Sequence, residues 1–380
     1  MSNTNAESRL TFIDVGRSLA IILMLQGHFI STTFQDYTAM TLELRMNGTS
    51  GNIFFDYWCQ LRGFTAPLFF TITGLVFTYL LVKNQKHPFL KQKRVKKGLV
   101  RGVSIIIWGY LLQLQLRQID MYLTGQINSR FYSFHVLQCI GLGIISLILF
   151  YWIYRKLKII PFEILLIVAG TIFFTAFSYV TTGSNNYFPK NAPKIIQNAF
   201  YGPNSIFPIF PWFGFIFFGG VVGVFLNKNK EKIRNIGFIL RMLSLGIAFC
   251  LLAYLIITIL GSIYPDNQIF GNGYWYFMQL AIILVVLTVM LLFDQKTKIK
   301  LPFLLAIGQN TLTVYIVHVI VLYGAIFGIG IKTYLSKSLT FGESIIGAVF
   351  FILLFGCLTK LQSTLGVKIK RIFSRQNTSI

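Results

Sequence analysis

The sequence is poor in charged residues and above all in acids. Only 12% of its 380 residues are charged, with 11 acidic residues against 34 basic ones. Because soluble domains carry about 25% charged residues, this composition excludes an ordinary soluble globular protein. Cysteine is also scarce. The four cysteines lie singly at Cys59, Cys139, Cys250 and Cys357, a spacing that predicts neither a metal site nor a disulfide framework.

Long apolar runs take the place of the missing charge. Apolar residues make up 55% of the chain, and segments near the 20 residues needed to cross a bilayer recur throughout it. We therefore predict an all-α integral membrane protein, one polytopic domain over residues 1–380 with about ten transmembrane helices and no soluble domain. The predicted helices are 10–33, 63–83, 99–116, 134–154, 159–180, 205–226, 237–261, 272–293, 302–327 and 342–360.

The net charge of +23 is concentrated in particular loops. Residues 83–101 hold eight Lys and Arg and no acid, and smaller basic clusters occupy 155–158, 228–234, 296–300 and 360–375. With ten crossings these loops share one side, whereas the opposite loops, including 181–204, are poor in Lys and Arg. This is the positive-inside pattern, and it predicts that both termini are cytoplasmic. Charge scattered over short membrane-flanking loops argues against a nucleic-acid partner.

The first apolar stretch carries Asp14, Arg17 and His28. Ionisable groups in a membrane helix cost about 2.5–3.5 kcal/mol each on insertion scales, so they mark paired or functional positions. Arg17 and His28 are separated by nearly three helical turns, which places them on one face about 16 Å apart. A simple intrahelical ion pair between Asp14 and Arg17 is the structural alternative.

Further polar residues are predicted in the outer half of the membrane. They are Arg62 at the start of the second helix, His135 at the start of the fourth, and His318 in the ninth with Tyr315 on the same face. Packing histidines and an arginine that snorkels to the headgroups are the structural alternatives.

The chemistry open to these groups is limited. A neutral histidine can remove a proton from a hydroxyl or amine that attacks a carbonyl, and an arginine can stabilise the oxyanion. Arg17 and the basic loop, with Lys97 and Arg101, suit cytoplasmic phosphates or pyrophosphates. Anionic membrane lipid is an equally available partner for that loop.

Five segments together resemble the membrane acyltransferase superfamily related to the acyltransferase-3 family. They run in order from about residue 10 to residue 325, beginning with the arginine and histidine of helix 1. The others are RGFTAPLFFTITGLVFTYLL, HVLQCIGLGI, FPIFPWFGFIFFGGVVGVF and IGQNTLTVYIVH. The last three are similar to the heparan-α-glucosaminide N-acetyltransferase-like branch. Ser18 departs from the glycine often found after the arginine, and an "SL-x-x-E" segment is absent, which leaves the acceptor open.

The resemblance implies an enzyme of a bacterial inner membrane. It would move an acyl group, expected to be acetyl, from cytoplasmic acyl-CoA to a glycan or glycolipid on the far side, without a metal. His28 is then the leading catalytic candidate. The other implied or proposed positions are Arg62 and His318 in catalysis, Asp14, Arg17, Lys97 and Arg101 at the acyl-CoA, and His135, Trp212, Asn310 and Tyr315 at the acceptor.

Two other functions are compatible with the sequence. A transporter or flippase for a lipid-linked sugar would use the same polar cluster as a binding site, although no inverted repeat is visible. A non-catalytic membrane scaffold would need none of these polar groups. Acyl length, O- or N-acylation, an acyl-histidine intermediate and a homo-oligomer are left open.

Overall fold

The computed structural model describes residues 11–83, 87–125, 129–181, 192–200, 205–263, 268–297 and 302–376. These residues are mainly helical and contain no β-strand, and Phe34 and Leu339 form an isolated parallel bridge. The prediction of an all-α protein is confirmed. The fold divides into two compact units, one formed by Met1–Thr65 with Thr297–Ile380 and the other by Ala66–Lys296.

Sixteen α-helices make up the described chain. They are α1 Thr11–Thr33, α2 Tyr37–Asn47, α3 Ile53–Gly63, α4 Thr65–Val82, α5 Lys93–Leu111, α6 Ile119–Leu123, α7 Val136–Leu157, α8 Phe162–Thr181, α9 Lys194–Phe200, α10 Ile209–Lys228, α11 Ile236–Ile263, α12 Gln268–Thr297, α13 Pro302–Gln309, α14 Thr311–Tyr323, α15 Ile331–Leu335 and α16 Phe341–Gln376.

Seven of the described helical segments are long and apolar enough to cross a membrane, which supports an integral membrane protein. Two shorter apolar helices, Phe162–Ala176 and Thr311–Tyr323, coincide with two further predicted segments. The remaining predicted segment, 99–116, falls largely on α5, whose basic start keeps it outside the seven. The count of ten crossings and the cytoplasmic termini stay predictions.

In the first unit, α1 lies against both α16 and the pair α13–α14. The α16 helix runs antiparallel to α1, so Phe29 meets Phe351 with ring centroids 5.3 Å apart, and Phe34 meets Phe341 at the same distance. On another side, α13 and α14 run parallel to α1. Gly308 packs against the Asp14 carbonyl near the start of α1, and His318 meets His28 near its end.

The departure at Ser18 has a packing role in this arrangement. Ser18 is buried and its hydroxyl donates to the Asp14 carbonyl at 2.9 Å. A Cβ on Gly308 would lie 2.5 Å from the Ser18 hydroxyl oxygen, so the backbone of α13 already touches this side chain. Close approach of two helix backbones at small residues is typical of membrane helix packing.

The turn between α2 and α3 is built from its polar residues. Gly48 ends α2 in the left-handed conformation, and the Asn52 side chain accepts from the first two amides after Ile53, at Phe54 and Phe55. The Asp56 carboxylate accepts from the Ser50 hydroxyl at 2.5 Å. These bonds fix the start of α3, which carries Arg62 in its last turn.

The second unit is held by close contacts at glycines. A Cβ on Gly74 of α4 would lie 1.9 Å from the Ile216 carbonyl oxygen of α10, and one on Gly219 would lie 2.0 Å from the Thr71 carbonyl oxygen. The same geometry joins α5 and α7, where Gly102 and Gly141 face each other's backbones. Any larger residue at these positions would separate the helices.

Candidate functional site

The two predicted histidines of the first unit lie in direct contact. His28 Nδ1 and His318 Nε2 are 3.0 Å apart, and the rings stack with centroids 5.2 Å apart. His318 is fully buried and packs edge-on against Tyr315, whereas His28 is half-buried and meets the edge of Tyr323. The pair therefore has one fully buried ring and one half-buried ring.

The tautomers of the two rings decide the direction of this hydrogen bond, and we assign them from the surroundings of His318. Its Nδ1 is buried and has no hydrogen bond within the described structure, and the Val314 and Tyr315 carbonyls lie one turn before it on α14. Carbonyls only accept, so we assign the ring proton of His318 to Nδ1. His318 Nε2 then accepts from His28 Nδ1–H, and His28 Nε2 keeps a free lone pair.

Arg62 lies beside this pair in an aromatic frame. Its guanidinium carbon is 5.5 Å from the Tyr37 ring centroid and 5.6 Å from that of Trp58, and it donates to the Tyr37 hydroxyl. Trp58 is itself held to α1, because its indole N–H donates to the Gln26 side chain at 2.5 Å. Arg62 passes over Gly27, where a Cβ would lie 3.2 Å from Nε. Because Gly27 has no side chain, the Arg62 side chain can lie against α1 next to His28.

A second cation, Lys337, adjoins the same tyrosine. Its Nζ lies 4.3 Å from the Tyr37 ring centroid and donates to the Ser31 carbonyl at 2.9 Å. Its backbone amide also donates to the Thr32 carbonyl at 3.0 Å, so the loop before α16 is tied to the end of α1. Partial burial and the nearby charges of Arg62 and Lys332 lower the pKa of Lys337.

The other end of α1 has a different arrangement. Asp14 is buried, and an Arg17 guanidinium nitrogen lies 3.4 Å from its carboxylate in an intrahelical ion pair. The structural alternative raised by their spacing is therefore present. Buried carboxylates are normally paired or hydrogen-bonded in this way, which accounts for the acid inside an apolar helix.

Comparison with known protein families assigns the chain. A family model described as "Acyltransferase domain", that of the acyltransferase-3 family, matches residues 10–360. The protein belongs to the acyltransferase-3 family. No curated protein matches the chain. The match covers both compact units and supports a membrane acyltransferase. It does not support the heparan-α-glucosaminide N-acetyltransferase-like branch that three of the motifs suggested.

The structure gathers part of the predicted site of this acyltransferase-3 protein in the first unit. His28, His318 and Tyr315 are in contact along α1 and α14, with Arg62 beside them. Asn310 lies at the break between α13 and α14, where its side chain donates to the Ala306 carbonyl at 2.9 Å. That bond gives Asn310 a role in shaping the break.

The remaining predicted positions lie in the second unit. Lys97 and Arg101 are exposed on α5. His135 precedes the first residue of α7, and Trp212 packs against Phe207 and Phe70 with centroids 4.9 and 5.4 Å away. Most of loop 181–204, predicted to stack on the acceptor, lies outside the described residues.

Three residues of the site were missed by sequence reasoning. Trp58 precedes Arg62 by four positions, so helical spacing was a usable signal for it. Tyr37 and Lys337 lie outside the predicted spans, in segments where no periodicity marks a residue. Only the tertiary contacts of the loop before α16 bring Lys337 to Tyr37.

Proposed function

We propose that this protein transfers an acyl group, acetyl in the simplest case, from cytoplasmic acyl-CoA to a hydroxyl or amine of an extracytoplasmic glycan or glycolipid. The family establishes a membrane acyltransferase. The donor, the acceptor and the direction across the membrane belong to the proposal. A bacterial inner membrane is the proposed location.

The observation that carries the proposal is the contact between His28 and His318. Their 3.0 Å separation gives His28 a hydrogen-bonded neighbour that orients the ring. This is the arrangement expected of a general base with a positioning partner. His28 is half-buried, so its Nε2 remains open to an acceptor.

The reaction then follows from these groups. His28 Nε2 takes the proton of the acceptor hydroxyl or amine as its oxygen or nitrogen attacks the thioester carbonyl. The tetrahedral oxyanion is stabilised by Arg62, which lies beside His28. Collapse of the intermediate breaks the carbon–sulfur bond, and protonated His28 returns its proton to the departing CoA thiolate. In the alternative with an acyl-histidine intermediate, His28 Nε2 first attacks the thioester carbonyl and releases CoA. The acceptor then displaces the acyl group from the ring nitrogen, which takes the proton of the acceptor.

Donor binding is proposed at the start of α1 and at the basic loop. Arg17 is a quarter exposed, with 27% of its side-chain surface accessible, and it lies about three turns from His28 on the same helix. Lys97 and Arg101 are exposed cations of the kind that bind phosphates and pyrophosphates. An extended pantetheine arm is comparable in length to the distance along α1.

The test uses purified protein in liposomes with acetyl-CoA labelled in the acetyl group and a panel of sugars. His28→Ala is expected to reduce label transfer by about 10²–10⁴-fold, the usual contribution of a general base. His87→Ala is the matched control, since this exposed histidine contributes only its carbonyl to the described hydrogen bonds. Full transfer by folded His28→Ala protein would refute the assigned base. No transfer by folded wild type with any donor or sugar would refute the function.

A further inference from the structure

Arg62, Lys337 and Tyr37 form a cluster of hydrogen-bond donors that the structure leaves largely without acceptors. Arg62 donates to the Tyr37 hydroxyl, and Lys337 donates to the Ser31 carbonyl. Because the Tyr37 hydroxyl oxygen accepts from Arg62, the hydroxyl hydrogen of Tyr37 points away from the guanidinium and can be donated to another group. A guanidinium has five N–H groups and an ammonium three, so most donors of this cluster have no acceptor among the described residues.

No carboxylate compensates the two cations. Asp14 pairs with Arg17 and Glu163 with Lys228, whereas neither Arg62 nor Lys337 has an acid within ion-pair distance in the described chain. Both charges adjoin one ring, at 5.5 and 4.3 Å from the Tyr37 centroid. The repulsion between them helps to lower the pKa of Lys337. Two neighbouring cations without a counter-charge are stabilised when an anion binds between them.

The chain holds Lys337 in this position at a conformational cost. Its φ of 55° is in the left-handed region, which non-glycine residues rarely adopt. The backbone bonds Lys337 N–H to Thr32 O and Leu339 N–H to Thr33 O, both 3.0 Å, keep it there. Strained residues of this kind cluster at ligand sites, because the surrounding structure must enforce them.

We infer that Arg62, Lys337 and the Tyr37 hydroxyl form a phosphate-binding subsite beside His28, and that the acyl acceptor is presented with a phosphate group. Donors from three separate side chains suit a tetrahedral phosphate with several acceptor oxygens better than a planar carboxylate with two. The identity of the bound group as part of the acceptor rests on the proposed function. The phosphate belongs either to a soluble sugar phosphate or to a lipid headgroup.

The experiment follows acylation of Lys337 by a neutral reagent, the N-hydroxysuccinimide ester of acetic acid. The protein is placed in phosphatidylcholine nanodiscs, and peptide mass spectrometry gives the modification rate of each lysine. The lowered pKa of Lys337 increases its fraction of free amine, so it reacts readily. Lys158 is the internal control, an exposed lysine that caps the end of α7 and whose side chain makes no hydrogen bond or ion pair within the described residues.

Glucose 1-phosphate is the soluble probe, and glucose is its uncharged control. At ten times its dissociation constant the sugar phosphate should slow the modification of Lys337 by about tenfold, since only the free site reacts. Lys158 should be unaffected, and glucose should protect neither lysine. Arg62→Gln should abolish the protection, while Tyr37→Phe, which removes only the hydroxyl, should weaken it.

The second arm replaces phosphatidylcholine by phosphatidylglycerol without added sugar. Protection of Lys337 in this arm alone would assign the phosphate to a lipid headgroup, and protection by the soluble probe would assign it to a free sugar phosphate. Either result supports the subsite. Equal slowing of Lys337 and Lys158, protection by glucose, or no protection in both arms would overturn it. No acyl-CoA is present, so the outcome is independent of whether transfer occurs.

Discussion

The cations near the two ends of α1 differ in whether an acidic side chain lies beside them. At the start of the helix, Arg17 is placed beside Asp14, an acid three residues away that the fold buries. Near the far end, Arg62 and Lys337 adjoin the Tyr37 ring with no described acid within ion-pair distance. Both ends of this apolar helix lie next to cations, but only the start of the helix provides a carboxylate, that of Asp14, to balance the charge.

This difference distinguishes a cation that serves the structure from cations that can take part in binding or reaction. A compensated cation changes little when a ligand arrives, because its charge is already balanced by a fixed neighbour. An uncompensated cation next to a base is poised for negative charge that appears during a reaction or arrives with a substrate. We therefore propose the chemical step at the His28 end and a supporting role for Arg17 at the proposed donor end.

The largest effect is expected from Arg62→Gln. Loss of the charge that stabilises the oxyanion should lower kcat for acetyl transfer by about 10²–10³-fold. Arg62→Lys should recover part of it, because an ammonium keeps the charge but not the planar contact with Trp58 and Tyr37. Arg45→Gln is the matched control, an exposed arginine in the last turn of α2. A similar loss in Arg45→Gln would indicate a general charge effect.

The next effect concerns the buried histidine. His318→Ala removes the acceptor of the His28 Nδ1–H bond and should lower kcat by about 10–100-fold, as removal of an orienting partner usually does. His318→Gln should retain more activity, since its amide oxygen can still accept. Added imidazole should partly rescue the alanine variant. If the glutamine and alanine variants are equally inactive and imidazole has no effect, His318 serves packing alone.

The fold and the core of the site were accessible from sequence for a physical reason. Membrane helices must be long and apolar, so hydropathy located them, and the all-α class is confirmed. His28, Arg62 and His318 stood out because ionisable groups inside such helices are costly. Their spacing along single helices could not show that His28 and His318 touch, since that contact depends on how α1 packs against α14.

The position of Lys337 in the candidate site could not be predicted from the sequence. A lysine in a loop costs nothing in water, so neither composition nor periodicity distinguishes it from Lys332 in the same segment. Its place in the site depends on backbone bonds between the residues before α16 and the end of α1, which are over 300 positions apart in sequence. Contacts of that kind are encoded by the whole fold rather than by a local pattern.

The two ends of α1 should also differ in how much their arginines contribute to the free energy of unfolding. Arg17→Gln leaves the buried Asp14 carboxylate without its arginine and should reduce the free energy of unfolding by about 1–3 kcal/mol. Arg62→Gln leaves no carboxylate behind and should cost less. The double variant Asp14→Asn with Arg17→Gln should recover most of the loss. Thermal unfolding of the detergent-purified proteins measures all three, and an equal loss for Arg17→Gln and Arg62→Gln would contradict the difference between the ends.

The smallest effect is expected from Gly27→Ala, which tests only the position of the Arg62 side chain. In Gly27→Ala the new Cβ would lie 3.2 Å from Arg62 Nε and 3.3 Å from its Cδ, so the side chain must move by a few tenths of an ångström. Transfer should fall by about threefold to tenfold, because catalytic geometry is sensitive to sub-ångström displacement. Stability should be unchanged or rise by up to about 1 kcal/mol, as alanine favours helix over glycine.

Gly63→Ala provides the control for this last change. It makes the same substitution at the end of α3, where a Cβ would meet nothing within 4 Å. Its activity should equal that of the wild type. In an Arg62→Gln background, Gly27→Ala should have no further effect on transfer, because the group it displaces is gone. Additive losses in that double variant would mean that Gly27 acts on His28 directly, and the guanidinium would lose its assigned place beside the base.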